Sequence, residues 1–468
     1  MTQTVTMPLW LFILILLFAA VTALSHFLIP SVRWFFRRRF ERAVERLNKR
    51  LTRPIEPFKL TQRHDMIQRL IYDPEVTAEI VNYAAAHGVP ENVGFQKARG
   101  YAREIVPGFS AFAYFSFAMR VAKLLANAVY RIRTQEGNDA VIAGVPRDAT
   151  VVFIMNHRSN MDYVLVTYLA SHATTMSYAV GEWARVWPLS SMIKLWGAYF
   201  IRRRSRGALY RKVLSRYVQM ATEGGVTQAI FPEGGLTVTG ALQAPKMGLL
   251  SYVVEAFDPK SDRDVVFVPV AINYDRVLED RVLIAAGKRG DRRFGAKISV
   301  VVFAFFKKFW QRVRGKDTRF GSAAVAFGAP LSMQGAKLEG DVEALSRELI
   351  GRISKVMPVL AVPLIATVLL RARRVEVSDL LEQVRALMHA VPEPNRAITE
   401  EELGAEVQRG LIGLQRRKVI RLAQGHWEVS ERHEDVLAFY ARSVAHLLGD
   451  TPSDDAAPAK GISALAKT

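Results

Sequence analysis

Hydrophobic and polar positions divide the chain into regimes with different periods. Residues 8–28, PLWLFILILLFAAVTALSHFL, contain no Asp, Glu, Lys or Arg. A run of about twenty such residues matches the thickness of the bilayer core, so it predicts one N-terminal transmembrane helix. No basic side chain precedes the run, which argues against a cleaved signal peptide. Residues 62–108 repeat at helical spacing with breaks at Pro74 and Gly88-Val89-Pro90, and residues 109–130, FSAFAYFSFAMRVAKLLANAVY, continue as an aromatic-rich helix. Arg120 and Lys123 oppose a second span there, leaving a helix packed on a core or lying in a membrane interface. Short apolar runs at 140–145, 151–155, 175–180, 227–231, 265–272, 298–305 and 324–327 then alternate with helical stretches. That alternation predicts an α/β unit, a mostly parallel twisted sheet flanked by helices. Residues 342–449 are helical by pattern, and 450–468, rich in Ala, Ser, Pro and Asp, read as disordered. The expected organisation is an anchor (1–30), a basic interfacial and helical segment (31–125), the α/β domain (126–334), a helical domain (335–449) and a tail (450–468).

Charge changes this picture at the N-terminus. Lys and Arg outnumber Asp and Glu by 64 to 44, a formal net charge of +20, which calls for an anionic partner. Residues 31–53 hold Arg33, Arg37, Arg38, Arg39, Arg42, Arg46, Lys49, Arg50 and Arg53 against Glu41 and Glu45, interleaved with Trp34, Phe35, Phe36 and Phe40. Such a segment suits an interfacial helix on anionic lipid headgroups. The positive-inside bias places the rest of the chain in the cytoplasm, as for a single-pass protein of a bacterial inner membrane. Much of the positive charge is therefore assigned to the membrane. Residues 399–430 read as helix, helix and a short strand around Trp427 and Val429, the outline of a winged helix carrying Arg416, Arg417, Lys418 and Arg421; the anchor opposes a nucleic-acid partner, and none is expected. The chain has no cysteine, which excludes disulfides and thiolate chemistry. It shows no metal-ligand cluster at recognisable spacing, and no metal is expected.

The candidate chemistry begins at residues 151–163, VVFIMNHRSNMDY. A buried strand there delivers His157 at its carboxyl end as a helix begins, where open α/β sheets place their sites. Positions five apart on a helix lie about 140° apart, so His157 must precede the helix for Asp162 to reach it. Alone, the pair also fits a capping Asp near a surface His. Three further blocks end apolar runs in the same unit: GAYFIRRR (197–204), whose arginines suit a phosphate; FPEGG (231–235), a tight turn presenting Glu233; and VPVAINYD (268–275), a wall of the site.

The order H-x-x-x-x-D, G-x-x-F-I-R-R, F-P-E-G-G and V-P-V resembles the four-block signature of the glycerolipid acyltransferases. Within them the chain is most similar to the glycerol-3-phosphate and dihydroxyacetone-phosphate branch, through HRSNMDY (157–163), GAYFIRR (197–203), PKMGLLSYVVEAF (245–257), INYDRVLED (272–280) and FYARSVAHLL (439–448). The resemblance implies that His157 is the general base and Asp162 its orienting partner, in agreement with the chemistry of imidazole near neutral pH. It further implies a substrate-binding set of Arg158, Ser159, Gly197, Phe200, Arg202, Arg203, Glu233, Gly234, Gly235, Lys246 and Pro269. The donor would be acyl-CoA or acyl carrier protein, with no other cofactor. The acceptor would be glycerol 3-phosphate, acylated at sn-1 in phospholipid biosynthesis at an anionic membrane. The chain departs from the family where the third block normally continues with arginines, E-G-G-R-S-R-T-G, and Leu236 and Val238 stand here. Each charged hydrogen bond lost removes about 1.5–3 kcal/mol, which opens the alternative of a lysophosphatidate or other lysolipid acceptor. A non-catalytic membrane scaffold or a nucleic-acid-binding protein is the remaining alternative, weakened by the presence of His157, Asp162 and Glu233 together.

Overall fold

Apolar runs without polar alternation suit strands covered on both faces, and the computed structural model of the chain places them so. It describes residues 8–19, 38, 42–135, 137–170, 174–181, 189–202, 207–260, 263–290, 319–335 and 341–449, in two compact units, Met1–Ile55 and Glu56–Thr468. In the first unit residues 9–19 are helical. The remainder of the span expected over 8–28 lies outside the described residues. Among the described residues, no helix is long and apolar enough to cross a membrane.

The second unit is built on one sheet. Its strands are β1 (Arg131–Thr134), β2 (Thr150–Met155), β3 (Ser177–Gly181), β4 (Tyr199–Ile201), β5 (Gln228–Ile230), β6 (Val265–Tyr274), β7 (Ser322–Phe327) and β8 (Leu331–Ser332). They lie in the order β1-β7-β6-β2-β5-β3-β4, with β8 also beside β6. From β6 to β4 all neighbours are parallel; β7 is antiparallel to β6, and β1 is parallel to β7. The sheet is mostly parallel, as its apolar runs predict. Successive side chains of a strand face opposite sides, so Val151, Phe153 and Met155 enter one core while Val152 and Ile154 enter the other.

Two local expectations fail for physical reasons. Residues 140–145 are not a strand: Asn138–Ala143 is a short helix, with Ile142 its one buried residue. β1 went unrecognised because its sequence, RIRT, alternates arginines with smaller residues, as befits an outermost strand. The run at 298–305 and the tail at 450–468 lie outside the described residues.

Helices α1 (Arg63–Ile71), α2 (Pro74–His87) and α3 (Glu91–Ile105) realise the 62–108 pattern. Asp73 caps α2 by accepting the Glu75 N–H at 3.0 Å, and Gly88, at φ +62°, ends it. The aromatic stretch forms a π-helical turn, Tyr114–Ala118, leading into α4 (Met119–Val129). Tyr114, Ala118, Ala122 and Ala126 are buried on one side, while Phe112, Phe117 and Leu124 stay exposed. The sheet's crossovers use α5 (Met161–Ala170), α6 (Ala208–Glu223), α7 (Gly248–Glu255) and α8 (Asp280–Lys288). One face of the sheet carries α1–α3, α6, α7 and α9 (Val342–Lys355); the other carries α4, α5 and the C-terminal elements.

Those C-terminal elements are α10 (Ala361–Ala372), β9 (Arg374–Glu376), α11 (Val377–Ala390), α12 (Glu400–Arg416), β10 (Ile420–Ala423), β11 (His426–Val429) and α13 (Glu434–Ala441). The region is therefore not wholly helical, because β10, β11 and β9 form an antiparallel sheet. Its hairpin turns at Gln424 (φ +50°) and Gly425 (φ +74°), the pair of positive angles that a two-residue connection demands. The two helices expected within 399–430 are one, since Leu403, Val407, Leu411 and Leu414 make a continuous buried stripe. With α11 it makes a helix pair ahead of the β10–β11 hairpin, in place of the helix, helix and short strand expected within 399–430. The second helix of the pair turns inward: Arg133 of β1 bonds Glu402 at 2.6 Å and buried Glu406 at 2.7 Å.

The loop after β5 is pinned to α13 at Gly240. Its φ is +88°, and a Cβ there would stand 1.8 Å from the Phe439 carbonyl oxygen. Backbone strain and a backbone clash combine, so Gly240→Ala is expected to cost more than about 3 kcal/mol, read as a clear fall in the thermal unfolding midpoint of the purified chain.

Candidate active site

Strand β2 ends where a side chain takes over its ladder. Asn156 donates from Nδ2 to the Ile272 carbonyl (2.9 Å) and accepts the Ile272 N–H at Oδ1 (2.7 Å). The chain then turns off the sheet, and His157 stands just past the strand and ahead of α5, as the angular argument requires. Its Nδ1 lies 2.9 Å from Asp162 Oδ2, and both residues are buried. The same oxygen accepts the N–H groups of Arg158 (2.7 Å) and Ser159 (3.0 Å). Asp162 Oδ1 accepts the Tyr274 hydroxyl at 2.5 Å. Burial, and next the Asp162 charge, hold that hydroxyl well above the usual tyrosine range, so it remains a donor. A carboxylate only accepts, hence Nδ1 carries the imidazole proton and Nε2 keeps a free lone pair.

Glu233 approaches from β5. The turn Phe231-Pro232-Glu233-Gly234 closes with a 3.1 Å bond from the Gly234 N–H to the Phe231 carbonyl, and Gly234 has φ +66°. Glu233 Oε1 accepts the His157 N–H at 3.2 Å, while buried Oε2 has no partner. Burial pushes the carboxyl up to about 8, against the pull of the His157 N–H and the Arg158 guanidinium. Phe231 covers the imidazole at 4.1 Å between ring centroids, and Tyr163 meets it edge-on at 5.5 Å.

The remaining expected residues divide into two groups. Lys246 joins the site: a Cβ on Gly234 would lie 2.7 Å from Lys246 Cδ and 3.4 Å from Nζ, so the lysine runs along the Glu233 turn, and Gly235 continues that turn. Arg158 and Ser159 are adjacent to the dyad but directed into the protein. Arg158 bonds Asn273 Oδ1 at 2.9 Å and the Gly240 carbonyl; Ser159 bonds Glu279 at 2.9 Å. Pro269 lies mid-strand opposite Ile154, well before the carboxyl end of β6. Gly197, Phe200 and Arg202 belong to β4 and its approach, three strands from β2, or about 14 Å at ordinary strand spacing. There Arg202 is held by Glu104 of α3 at 2.6–3.1 Å. Arg203 lies outside the described residues. Leu236 and Val238 pack against the core.

Sequence reasoning missed Tyr274 and Glu279, although both stand in the INYDRVLED stretch, and Asn156, which directly precedes the histidine. Among the described residues no group of three or more His, Asp or Glu could hold a metal ion.

Known proteins give the site a context. Residues 140–273 match the Acyltransferase family model, and 306–449 match that of the glycerol-3-phosphate acyltransferase C-terminal region. A glycerol-3-phosphate acyltransferase of Actinobacillus succinogenes is 27% identical over 83% of this chain and 50% of its own length. One from Pasteurella multocida is 26% identical over the same shares. The chain thus spans about half the length of these curated relatives. The crystal structure of a 1-acyl-sn-glycerophosphate acyltransferase from Thermotoga maritima is similar over 59% of this chain and 95% of its own, at 17% identity and a TM-score of 0.30. With an acyltransferase domain around the His157–Asp162 pair and a glycerol-3-phosphate acyltransferase C-terminal region behind it, the chain belongs to the glycerolipid acyltransferases.

Proposed function

We propose that the chain transfers a fatty acyl group from acyl-CoA or acyl carrier protein to the sn-1 hydroxyl of glycerol 3-phosphate, as a membrane-bound enzyme of phospholipid biosynthesis. The observation that carries this reading is the imidazole with Nδ1 fixed on Asp162 and Nε2 left as a base. Nε2 takes the acceptor hydroxyl proton as the oxygen attacks the thioester carbonyl. The new C–O bond forms, the C–S bond breaks, and the imidazolium returns its proton to the departing thiolate. Asp162, charged and held by Tyr274 and two backbone N–H groups, stabilises that imidazolium. A thioester is already activated, so no acyl-enzyme is needed. Lys246 beside the Glu233 turn supports an anionic acceptor there. That the relatives are glycerol-3-phosphate acyltransferases supports the acceptor.

Leu236 and Val238 favour a second reading. Both are core-packed aliphatic residues where the family carries arginines, and a lysophosphatidate or another lysolipid would need less phosphate-binding charge. Membrane attachment rests on residues 8–28. Their described part is helical, with Leu9, Trp10, Phe12 and Leu17 each about half or more exposed.

Membranes bearing the chain are expected to acylate glycerol 3-phosphate from radiolabelled acyl-CoA, with His157→Ala slower by about 10²–10⁴-fold. Wild-type rates in that variant would end the mechanism, and exclusive use of lysophosphatidate would select the second reading. Removing residues 1–30 is expected to move the protein from the carbonate-washed membrane pellet to the supernatant; retention in the pellet would refute the anchor. A pH dependence follows from Glu233. Its carboxyl rises from 4.5 to about 8 on folding, so the stability from its protonated form is complete below about pH 4.5 and is lost as pH rises through about 8. Asp275, raised by burial to about 6, acts in the same direction. Glu233→Gln should therefore flatten, without abolishing, the fall in unfolding midpoint between pH 5 and 8; an unchanged slope would contradict a neutral Glu233.

A further inference from the structure

A cavity of about 250 Å³ lies outside the site above, at the seam where α12 meets β1, β6 and β7. Its lining includes six arginines, Arg131, Arg276, Arg319, Arg409, Arg416 and Arg417, and two acidic residues, Asp275 and Glu406. Two carboxylates answer only part of this charge, Glu406 pairing with Arg409 and, at 3.8 Å, with Arg131. Glu406 is already bonded to Arg133 at 2.7 Å and Arg409 at 2.6 Å. Asp275 accepts the backbone N–H groups of Ser322 (2.7 Å) and Val362 (3.0 Å), and burial raises its pKa to about 6. Arg417 has its own partner, Asp280, at 2.5 Å.

Arg276 is the telling group. Its guanidinium carbon lies 4.1 Å from the Phe320 ring centroid, and its Nε is buried with no hydrogen-bond partner. Among the described residues no carboxylate forms an ion pair with it. A buried donor without a partner, in a cavity edged by further guanidinium groups, has the chemistry of a site for an oxyanion.

We propose that this cavity binds a phosphate-bearing small molecule or headgroup, gripped by Arg276 with Arg416. The volume admits a phosphate and a few further atoms. The site is separate from the acceptor site. Imidazole Nδ1 faces Asp162, so Nε2, where the acceptor reacts, points away from it. None of the cavity-lining residues is among those assigned to the acceptor site, and Asp275 and Arg276 of the wall directly follow Tyr274, which holds Asp162. A bound phosphate therefore ties α12 to the end of β6.

The test uses the full chain in detergent, with inorganic phosphate against chloride at matched ionic strength. Phosphate is expected to raise the unfolding midpoint and to bind measurably by titration calorimetry, with affinity weakened at least about tenfold in Arg276→Gln. Ile412, a half-exposed cavity residue, supplies an independent variant. Ile412→Glu places a carboxylate at the cavity and should reproduce the stabilisation in chloride while removing the response to phosphate, which decides the matter even where Arg276→Gln fails to fold. Glycerol 3-phosphate, CoA and phosphatidate vesicles, the last set against phosphatidylcholine vesicles, distinguish the sources: the natural one protects at the lowest concentration and loses that protection in the variants. Equal midpoints in phosphate and chloride, or an unaltered phosphate response in Ile412→Glu, overturn the proposal. The readout is binding, and His157→Ala should retain it, so it stands or falls apart from the proposed reaction.

Discussion

A buried carboxylate is tolerable only where its charge is answered in place, and Asp162 meets that condition with donors drawn from two parts of the chain. The His157 ring and the N–H groups of Arg158 and Ser159 come from the turn after β2, and the Tyr274 hydroxyl comes from the end of β6. The surrounding contacts fix those donors in turn. Asn156 locks β2 to β6, Glu279 of the next loop holds Ser159 and the Asn160 side chain, and Arg158 reaches Gly240. The geometry of the base is thus set by strand ends more than by the helix that carries Asp162.

The parts of this arrangement that the sequence reveals are those with a local signature. β2, β5 and β6 are legible because strands buried on both faces must be continuously apolar. The dyad is legible because His157 and Asp162 are five apart and only a histidine ahead of the helix can reach. Tyr274 is 112 residues from Asp162, and a hydrogen bond across that separation leaves no periodicity to read. Arg202 shows the opposite failure. Its block resembles a phosphate site, but the carboxylate that holds it, Glu104, comes from a helix 98 residues earlier, and the strand order that sets β4 three places from β2 cannot be inferred from spacing. The same holds for the C-terminal hairpin, whose signal is a single glycine after Gln424.

In the C-terminal region α12 turns its buried stripe and Glu406 toward the sheet. Its basic residues Arg409, Arg416 and Arg417 line the seam with β1, β6 and β7, Arg409 and Arg416 remaining exposed to solvent. The charge that composition alone attributes to a partner is in part gathered along this seam, where it bears on stability and on small anions.

The ion pairs at the two ends of the sheet have one more consequence. β1 and β4 terminate the strand order. Each has a helix from a distant part of the chain fastened to it through arginine, Arg133 to Glu402 and Glu406 of α12, and Arg202 to Glu104 of α3. Terminal strands are where a sheet is open to recruiting a foreign strand. By fastening charged, helical flanks at both margins, the chain guards against edge-to-edge aggregation.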